Sequence, residues 1–498
     1  MNKSDSERIA SVLEKMGYKK ASNENEADLI VINMCSVRQS AVDRVYGMAK
    51  KFIKIKTQNP EPEHPVPEHS TVQSSPESHT GSGQSTVQGY VPQVGHGSKI
   101  KTLLTGCISK KDFLKFQKFF DYILPIKTLE IWPEFLKKES FHYLPNQREK
   151  EFFEKFKCDY LKIKPKYEKN FSVFIPISTG CDNFCSYCVV PYTRGSLICR
   201  PPEEILKEAE KAVKNGVKEI WLLGQNVNDY KSRMDTNMNS RIFANKISAN
   251  LQDINFAKLL KMINDIPGNF WLRFTSPHPK NFSDELIETM AKCEKFTPYL
   301  NLPLQSGDDE ILKRMRRNYT AKEYKNLVKK IRKVLKKIRR SIYKKGFPEG
   351  FALEDTISIS TDIIVGFCGE TEKQFQNIVK LFKEIKFDMA YIAQYSERPG
   401  TLAEKFEDNV PKKEKERRWK VLQKILEKFA LDFNKKFVWK KVLVLPEEFK
   451  DGFLIGKTRH HKTVKFEGKK DLIGNFVLVK IEKAFPWGLK GKLIEKIK

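Results

Sequence analysis

The chain opens on a helical rhythm. Ile9, Val12 and Leu13 recur at helical intervals behind Ser4 and Glu7, which have capping-box spacing, and Gly17 ends the pattern. Two short apolar runs follow, ADLIVINMC ending at Cys35 and KIKTLLTGC ending at Cys107. Unbroken apolar runs of this length predict strands buried on both faces, and with the helices they predict an α/β domain over 1–150. Residues 57–99, between the runs, are rich in Pro, Ser, Gly and Gln, with almost no large apolar side chain. Such a stretch cannot bury enough surface to offset its chain entropy, so a disordered insertion is expected. Its four histidines, His64, His69, His79 and His96, read as solvated rather than metal-binding.

A second rhythm runs from 168 to 435. Strand-like runs recur as FSVFIPIS, EIWLLGQN, FWLRFTS, YLNLPLQS, ISISTDIIVGF and MAYIAQYS, separated by helical patterns such as PEEILKEAEKAVKNG. Six β/α units in series predict parallel strands closing part of a barrel, a partial (β/α)6 barrel. The polar stretch 231–250 and the basic, then Gly/Pro-containing stretch 336–355 read as surface insertions. Over 437–498 the pattern turns to short alternating strands with glycine turns, which predicts a small β-barrel of the kind suited to oligonucleotides.

Composition narrows the picture. The chain has 498 residues, 40% of them hydrophobic, enough for several cores. No run of about 18 apolar residues appears, and MNKSDSERIA lacks the apolar centre of a signal peptide, so a cytoplasmic enzyme with no membrane partner is expected; a monomer is expected as well. A formal net charge of +29 favours polyanions, since phosphate neutralisation releases counterions. The nine cysteines are odd in number, which argues against a disulfide framework. Cys158, Cys199, Cys293 and Cys368 read as buried or incidental thiols.

The chemistry concentrates in STGCDNFCSYCVVPYTRG. Cys181, Cys185 and Cys188 lie within eight residues, a spacing that lets three thiolates converge on one cubane cluster and leave its fourth iron open. A closed zinc site is the structural alternative and would need a fourth ligand, for which Cys199 is the candidate. The loop follows the first barrel strand, where active sites occupy C-terminal strand ends. Cys-x3-Cys-x2-Cys with Tyr187 before the last cysteine resembles the radical-SAM superfamily. That resemblance implies S-adenosylmethionine (SAM) on the open iron and reductive cleavage to a 5′-deoxyadenosyl radical. It places Tyr187 beside the adenine. It also implies that polar residues at the other strand ends hold SAM: Gly224, Gln225, Asn226, Arg273, Ser276, Gln305, Ser306, Gly366 and Glu370.

Further words are more specific. NMCSVRQSA, LLTGC, CVVPYTRG and LLGQNVN are similar to the MiaB-type methylthiotransferases. The resemblance implies a second 4Fe-4S cluster, held by Cys35, Cys107 and a third cysteine from a Gly-Cys-Gln-Met-Asn stretch. The chain begins at Met1-Asn2-Lys3-Ser4, inside that stretch, so a start further upstream is expected; the alternative is a lost ligand. VGFCGET departs from the family in having Cys368 where proline is usual. The C-terminal segment resembles a TRAM domain, which implies phosphate contacts from Lys457, Arg459, Lys462, Lys465 and Lys490 and base stacking on Phe485 or Trp487. The implied reaction is methylthiolation at C2 of N6-isopentenyl-adenosine beside the tRNA anticodon. Its implied partners are the anticodon arm, flavodoxin or ferredoxin as reductant, and a sulfur donor system. The alternatives are a methylthiotransferase for threonylcarbamoyl-adenosine tRNA or a ribosomal protein, or a catalytically impaired RNA-binding homologue.

Overall fold

The structure, a computed structural model, describes residues 1–24, 26–35, 39–58, 86–92, 100–138, 140–142, 159–233, 253–344, 346 and 348–497. It divides into two compact units, each treated by itself. The first comprises Met1–Glu168 with Cys188–Gly195 and Arg398–Thr401; the second comprises Lys169–Tyr187, Ser196–Glu397 and Leu402–Lys498.

In the first unit the chain runs α1 (Asn2–Lys15), β1 (Tyr18–Lys20), β2 (Leu29–Cys35), α2 (Gln39–Gln58), β3 (Thr86–Pro92), β4 (Lys101–Cys107), α3 (Lys110–Phe116), β5 (Tyr122–Ile123), α4 (Trp132–Phe135) and β6 (Phe141–His142), with α5 (Val190–Arg194) added later in sequence. The sheet order is β1-β3-β2-β4-β5-β6. Strands β2, β4, β5 and β6 are parallel, and β3 runs antiparallel to β2 and β1. Every residue of β2 is buried. Because side chains alternate, Leu29 and Val31 join the core under α1, while Ile30, Ile32 and Met34 join the core under α2. Two expectations change. No side chain caps α1, which starts after Met1; Ser4 instead takes a hydrogen bond from Arg8, and Glu7 accepts one from the Glu168 N–H. Within 57–99, Thr86–Pro92 is a strand paired with β2, while 59–85 and 93–99, with the four histidines, lie outside the described residues, as does Cys158.

The second unit contains all six expected parallel strands: β7 (Ser172–Pro176), β8 (Glu219–Leu223), β9 (Trp271–Phe274), β10 (Tyr299–Asn301), β11 (Ser358–Val365) and β12 (Met389–Gln394). They form two three-stranded sheets, β9-β8-β7 and β10-β11-β12, joined by a parallel bridge from Leu272 to Phe296. Helices α6 (Pro202–Lys214), α7 (Phe256–Asn264), α8 (Asp284–Lys292), α9 (Ala321–Ile342), α10 (Glu372–Ile385) and α11 (Lys412–Lys435) each follow one strand. Capping boxes at Thr320/Glu323 and Thr371/Gln374 start α9 and α10. The rest of the unit is a closed five-stranded barrel, β13 (Lys441–Lys450), β14 (Phe453–Thr458), β15 (Thr463–Glu467), β16 (Val477–Phe485) and β17 (Gly488–Lys496), in the order β13-β14-β15-β17-β16. Its interior holds Val444, Leu454, Val464, Phe466, Val477, Val479 and Ile481.

The expected insertion at 336–355 is corrected. Its first part is the end of α9, and Arg339 and Glu354 are buried partners at 2.7 Å. The other, 231–250, begins as a short strand, Lys231–Arg233, paired with Asp253–Asn255; 234–252 lie outside the described residues. Among the described residues no helix is long and apolar enough to cross a membrane.

Candidate functional site

The cysteine loop leaves the C-terminal end of β7. Ser178–Thr179 pair antiparallel with Ile198–Cys199, which closes the base of the loop and puts the Cys199 backbone opposite Ser178. Gly180 and Phe184 take left-handed φ values of 79° and 45°. Cys181 is half-buried and Cys185 buried; Cys188 opens the segment assigned to the first unit. N–H groups face two of the sulfurs: Asn183 donates to Cys181 Sγ at 3.6 Å and Arg317 donates to Cys185 Sγ at 3.5 Å. Burial pushes the Cys181 thiol up, with the Asn183 N–H groups opposing. Among the described residues no three Cys, His, Asp or Glu side chains are gathered as around a metal ion. Cys293 and Cys368 are buried, and burial raises the Cys293 thiol to about 12.

The strand ends around this loop are rich in unmet polar capacity. Ser178 Oγ, Ser186 Oγ, Gln225 Oε1, Asn226 Oδ1 and His278 Nε2 are buried with no hydrogen-bond partner. The large majority of buried side-chain polar atoms are satisfied, so five orphans at one sheet edge mark a place built for a polar ligand. Gly224 belongs to it, since a Cβ there would lie 2.7 Å from Ser178 Oγ. Ser276 and Gln305 both take left-handed φ, 57° and 71°, which is costly for side-chain-bearing residues. Ser306 is buried and accepts from the Asp308 N–H at 3.3 Å. Tyr187 packs against Ile311, Met315, Phe367 and Tyr395. Gly366 donates its N–H to Glu370, which also takes Arg418 at 2.7 Å and keeps its other oxygen unpartnered.

Sequence reasoning missed the connecting residues. His278 exchanges two hydrogen bonds with Asn228 and lies 5.7 Å from the Tyr319 ring. Tyr319 donates to the Leu304 carbonyl and accepts from Arg317, which reaches Cys185. Burial lowers His278 to about 3, so the imidazole is neutral. The available signal for His278 was position, because it follows a strand end as the chosen residues do; Arg317, behind the helix Asp309–Arg314, carried none.

Arg273 is corrected. It is fully buried, its Nε on Glu219 at 2.7 Å and its two Nη groups on the Arg459 and Thr458 carbonyls at 2.9 Å each. All three nitrogens of its guanidinium are thus engaged by Glu219 and the Thr458 and Arg459 carbonyls, away from the opposite strand ends.

In the first unit, Cys35 and Cys107 are register partners at the ends of parallel β2 and β4, both buried. Gly106 makes this possible: its φ is 100°, and a Cβ would lie 2.2 Å from the Met34 carbonyl oxygen. Arg194 donates Nε to Cys107 Sγ at 3.1 Å while binding Asp5 at 2.6 Å and Tyr160 at 3.1 Å.

The five-stranded barrel divides its predicted RNA contacts. Lys465 and Lys490 are exposed, and Phe485 and Trp487 are 44% and 52% exposed. Lys465, Phe485 and Lys490 line one shallow groove with Phe453 and Leu489. Arg459 and Lys462 are buried and are corrected: Arg459 binds Glu354 at 2.6 Å and the Glu294 carbonyl at 2.9 Å, and Lys462 pairs with Asp388. Lys457 is half-buried on Thr463 at 2.7 Å. The turn between β14 and β15 is thus a plug at the N-terminal ends of the parallel strands, with His461 between Trp221 and Tyr299.

A cysteine loop and orphaned polar atoms at the C-terminal edge of six parallel strands, joined to a closed five-stranded barrel, define a radical SAM protein with an appended nucleic-acid-type barrel. Family models agree: the radical SAM superfamily matches 175–382, an uncharacterized protein family (UPF0004) matches 1–65, and the TRAM domain matches 440–494. The tRNA-2-methylthio-N(6)-dimethylallyladenosine synthase of Clostridium botulinum (strain Langeland) is 34% identical over 99% of this chain and 95% of its own length. The synthase of Dictyoglomus thermophilum is 35% identical over 100% and 97%, and that of Neisseria gonorrhoeae 32% over 99% and 97%. The chain belongs to the tRNA-2-methylthio-N(6)-dimethylallyladenosine synthase family of radical SAM enzymes. A solved radical S-adenosylmethionine methyltransferase, TsrM from Kitasatospora setae, covers 59% of this chain and 55% of its own at 15% identity and TM-score 0.40, too loose to carry weight.

Proposed function

We propose that this chain installs a methylthio group at C2 of N6-isopentenyl-adenosine next to the tRNA anticodon. The observation that carries the reading is the set of five orphaned polar atoms flanking a cysteine loop at one edge of the parallel strands. Their chemistry fits SAM, which offers ammonium, carboxylate, ribose hydroxyls and adenine edges to such atoms. Cys181, Cys185 and Cys188 would hold one 4Fe-4S cluster, and Cys35 and Cys107 would give two thiolates to a second. When bound, these groups and SAM supply one-electron cleavage to a 5′-deoxyadenosyl radical and a site for the sulfur to be transferred.

The chain's own residues do the rest. Ser178, Ser186, Gln225 and Asn226 orient SAM, and Tyr187 walls the adenine. Neutral His278 can accept a proton-bearing donor without adding charge. Arg317 and Arg194 set N–H groups against the Cys185 and Cys107 sulfurs and hold those side chains in place. Lys465, Lys490, Phe485 and Trp487 take phosphate and base. Flavodoxin or ferredoxin would deliver electrons, and a separate system would deliver sulfur. Nucleoside mass spectrometry of tRNA from a strain lacking its own activity, with and without this chain, tests the proposal. The methylthio-isopentenyl nucleoside should appear with it; unmodified isopentenyl-adenosine, or methylthiolation of threonylcarbamoyl-adenosine, would overturn it.

A further inference from the structure

Helix α9 is the most one-sided charged element described. Between Lys322 and Arg340 it carries ten Lys and Arg and one carboxylate, Glu323. Its inner stripe is Tyr324, Val328, Ile331, Leu335 and Arg339. Some cations are answered: Lys325 by Glu384, Lys330 by Asp284, Arg340 by Asp355. Lys333, Lys336 and Lys337 are exposed and have no carboxylate partner among the described residues. Lys329, Lys333, Lys336, Lys337 and Arg340 follow one another at helical spacing, where like charges oppose the helix. Lysine abundance alone does not require this. Helix α11, also long, interleaves its cations with four carboxylates, Glu414, Glu416, Glu427 and Asp432, and pairs Glu414 with Arg417 and Arg418 and Glu416 with Lys420.

The ridge ends at a groove of about 530 Å³ lined by Arg340, Trp439, Lys440 and Lys441, with Asp355 and Glu349 paired to Arg340 and Lys441. Trp439 is 68% exposed, the most exposed large apolar side chain described. Its φ is 67°, and its N–H is fixed on the Ile481 carbonyl at 2.8 Å. A strained backbone holding an indole in solvent beside a row of unanswered lysines is the pairing of stacking platform and phosphate track that nucleic acid uses.

We propose that this ridge and groove form a second RNA surface, on which the lysines take backbone phosphates and Trp439 stacks a base of the tRNA outside the anticodon loop. The inference rests on the tRNA-modifying reading. Helix α9 starts at the C-terminal ends of the strands and, at 1.5 Å per residue, carries the ridge about 33 Å toward the N-terminal ends. RNA at Trp439 is therefore not the loop presented to the cysteines. An anionic membrane is the weaker fit, because a helix lying on lipid shows an apolar face and that of α9 is buried.

The test compares full-length tRNA with an isolated anticodon stem-loop. In the full chain, Lys333, Lys336 and Lys337 are changed together to Glu, and in a control Lys420, Lys424 and Lys428 likewise. Trp439→Ala is made separately. The ridge variant should bind full-length tRNA at least ten-fold more weakly, with a log K against log salt slope shallower by about 2. Trp439→Ala should weaken it about five-fold at unchanged slope. The stem-loop affinity and uncoupled 5′-deoxyadenosine release should stay within two-fold. Equal loss in the control, equal loss on the stem-loop, unchanged tRNA affinity, or loss confined to phosphatidylserine vesicles would each overturn the inference. Absence of methylthio product from the unsubstituted chain would instead indict the reaction proposed above.

Discussion

The two ends of the parallel strands in the second unit handle polar groups in opposite ways. At the N-terminal end the buried ions stand in pairs: Arg273 with Glu219, Arg339 and Arg459 with Glu354, Lys462 with Asp388. At the C-terminal end six buried polar atoms, the five around the cysteine loop and one Glu370 oxygen, have no partner, and Phe184, Ser276 and Gln305 hold left-handed backbone. Burying an unmet polar group costs about 1–3 kcal/mol. One end is thus spent on stability and the other holds its interactions in reserve for a ligand, the division seen when function and stability compete.

The largest effect should come from the reserved end. Cys185→Ala should reduce SAM cleavage to background, measured as 5′-deoxyadenosine under dithionite, while the melting temperature of the metal-free protein moves by no more than a few degrees. Next is the answered end. Glu354→Ala strands two buried guanidinium groups and should cost about 3–5 kcal/mol in urea unfolding, because breaking a buried pair leaves uncompensated charge. Its folded fraction should still cleave SAM; a variant that folds normally but loses cleavage would dissolve the contrast. Ser178→Ala is the sharper case. Losing an orphaned hydroxyl should leave stability unchanged or raise it by about 1 kcal/mol, while the KM for SAM rises about ten-fold. The smallest effect concerns His460, whose Nε2 meets the Leu353 and Thr356 carbonyls at 3.0 and 2.9 Å. Burial lowers it to about 4 from an ordinary 6.5. Its stabilisation is therefore complete above pH 6.5 and falls away as pH drops toward 4; His460→Gln should flatten that part of the melting-temperature profile.

This contrast also separates what could be seen in the sequence from what could not. Six parallel strands and a closed barrel were legible because apolar periodicity follows burial locally. The pairing of Cys35 with Cys107 was half legible: both end apolar runs, but their register partnership depends on β2 lying beside β4. Arg459 and Lys462 misled because a cation in a polar turn looks the same whether it meets solvent or a buried carboxylate 105 or 74 residues away. Arg273, on a strand, misled in the same way, since its partner Glu219 is 54 residues distant. The strand Thr86–Pro92 was hidden in a Gln/Ser-rich stretch, where only pairing with β2 reveals it.

One measurement reaches the centre of the account. In the Cys35→Ala, Cys107→Ala protein, reconstituted anaerobically, only the loop of Cys181, Cys185 and Cys188 should bind a 4Fe-4S cluster. Its dithionite-reduced electron paramagnetic resonance spectrum should change when SAM is added. A protein that holds no iron at this loop, or holds a cluster whose spectrum ignores SAM, would contradict the account.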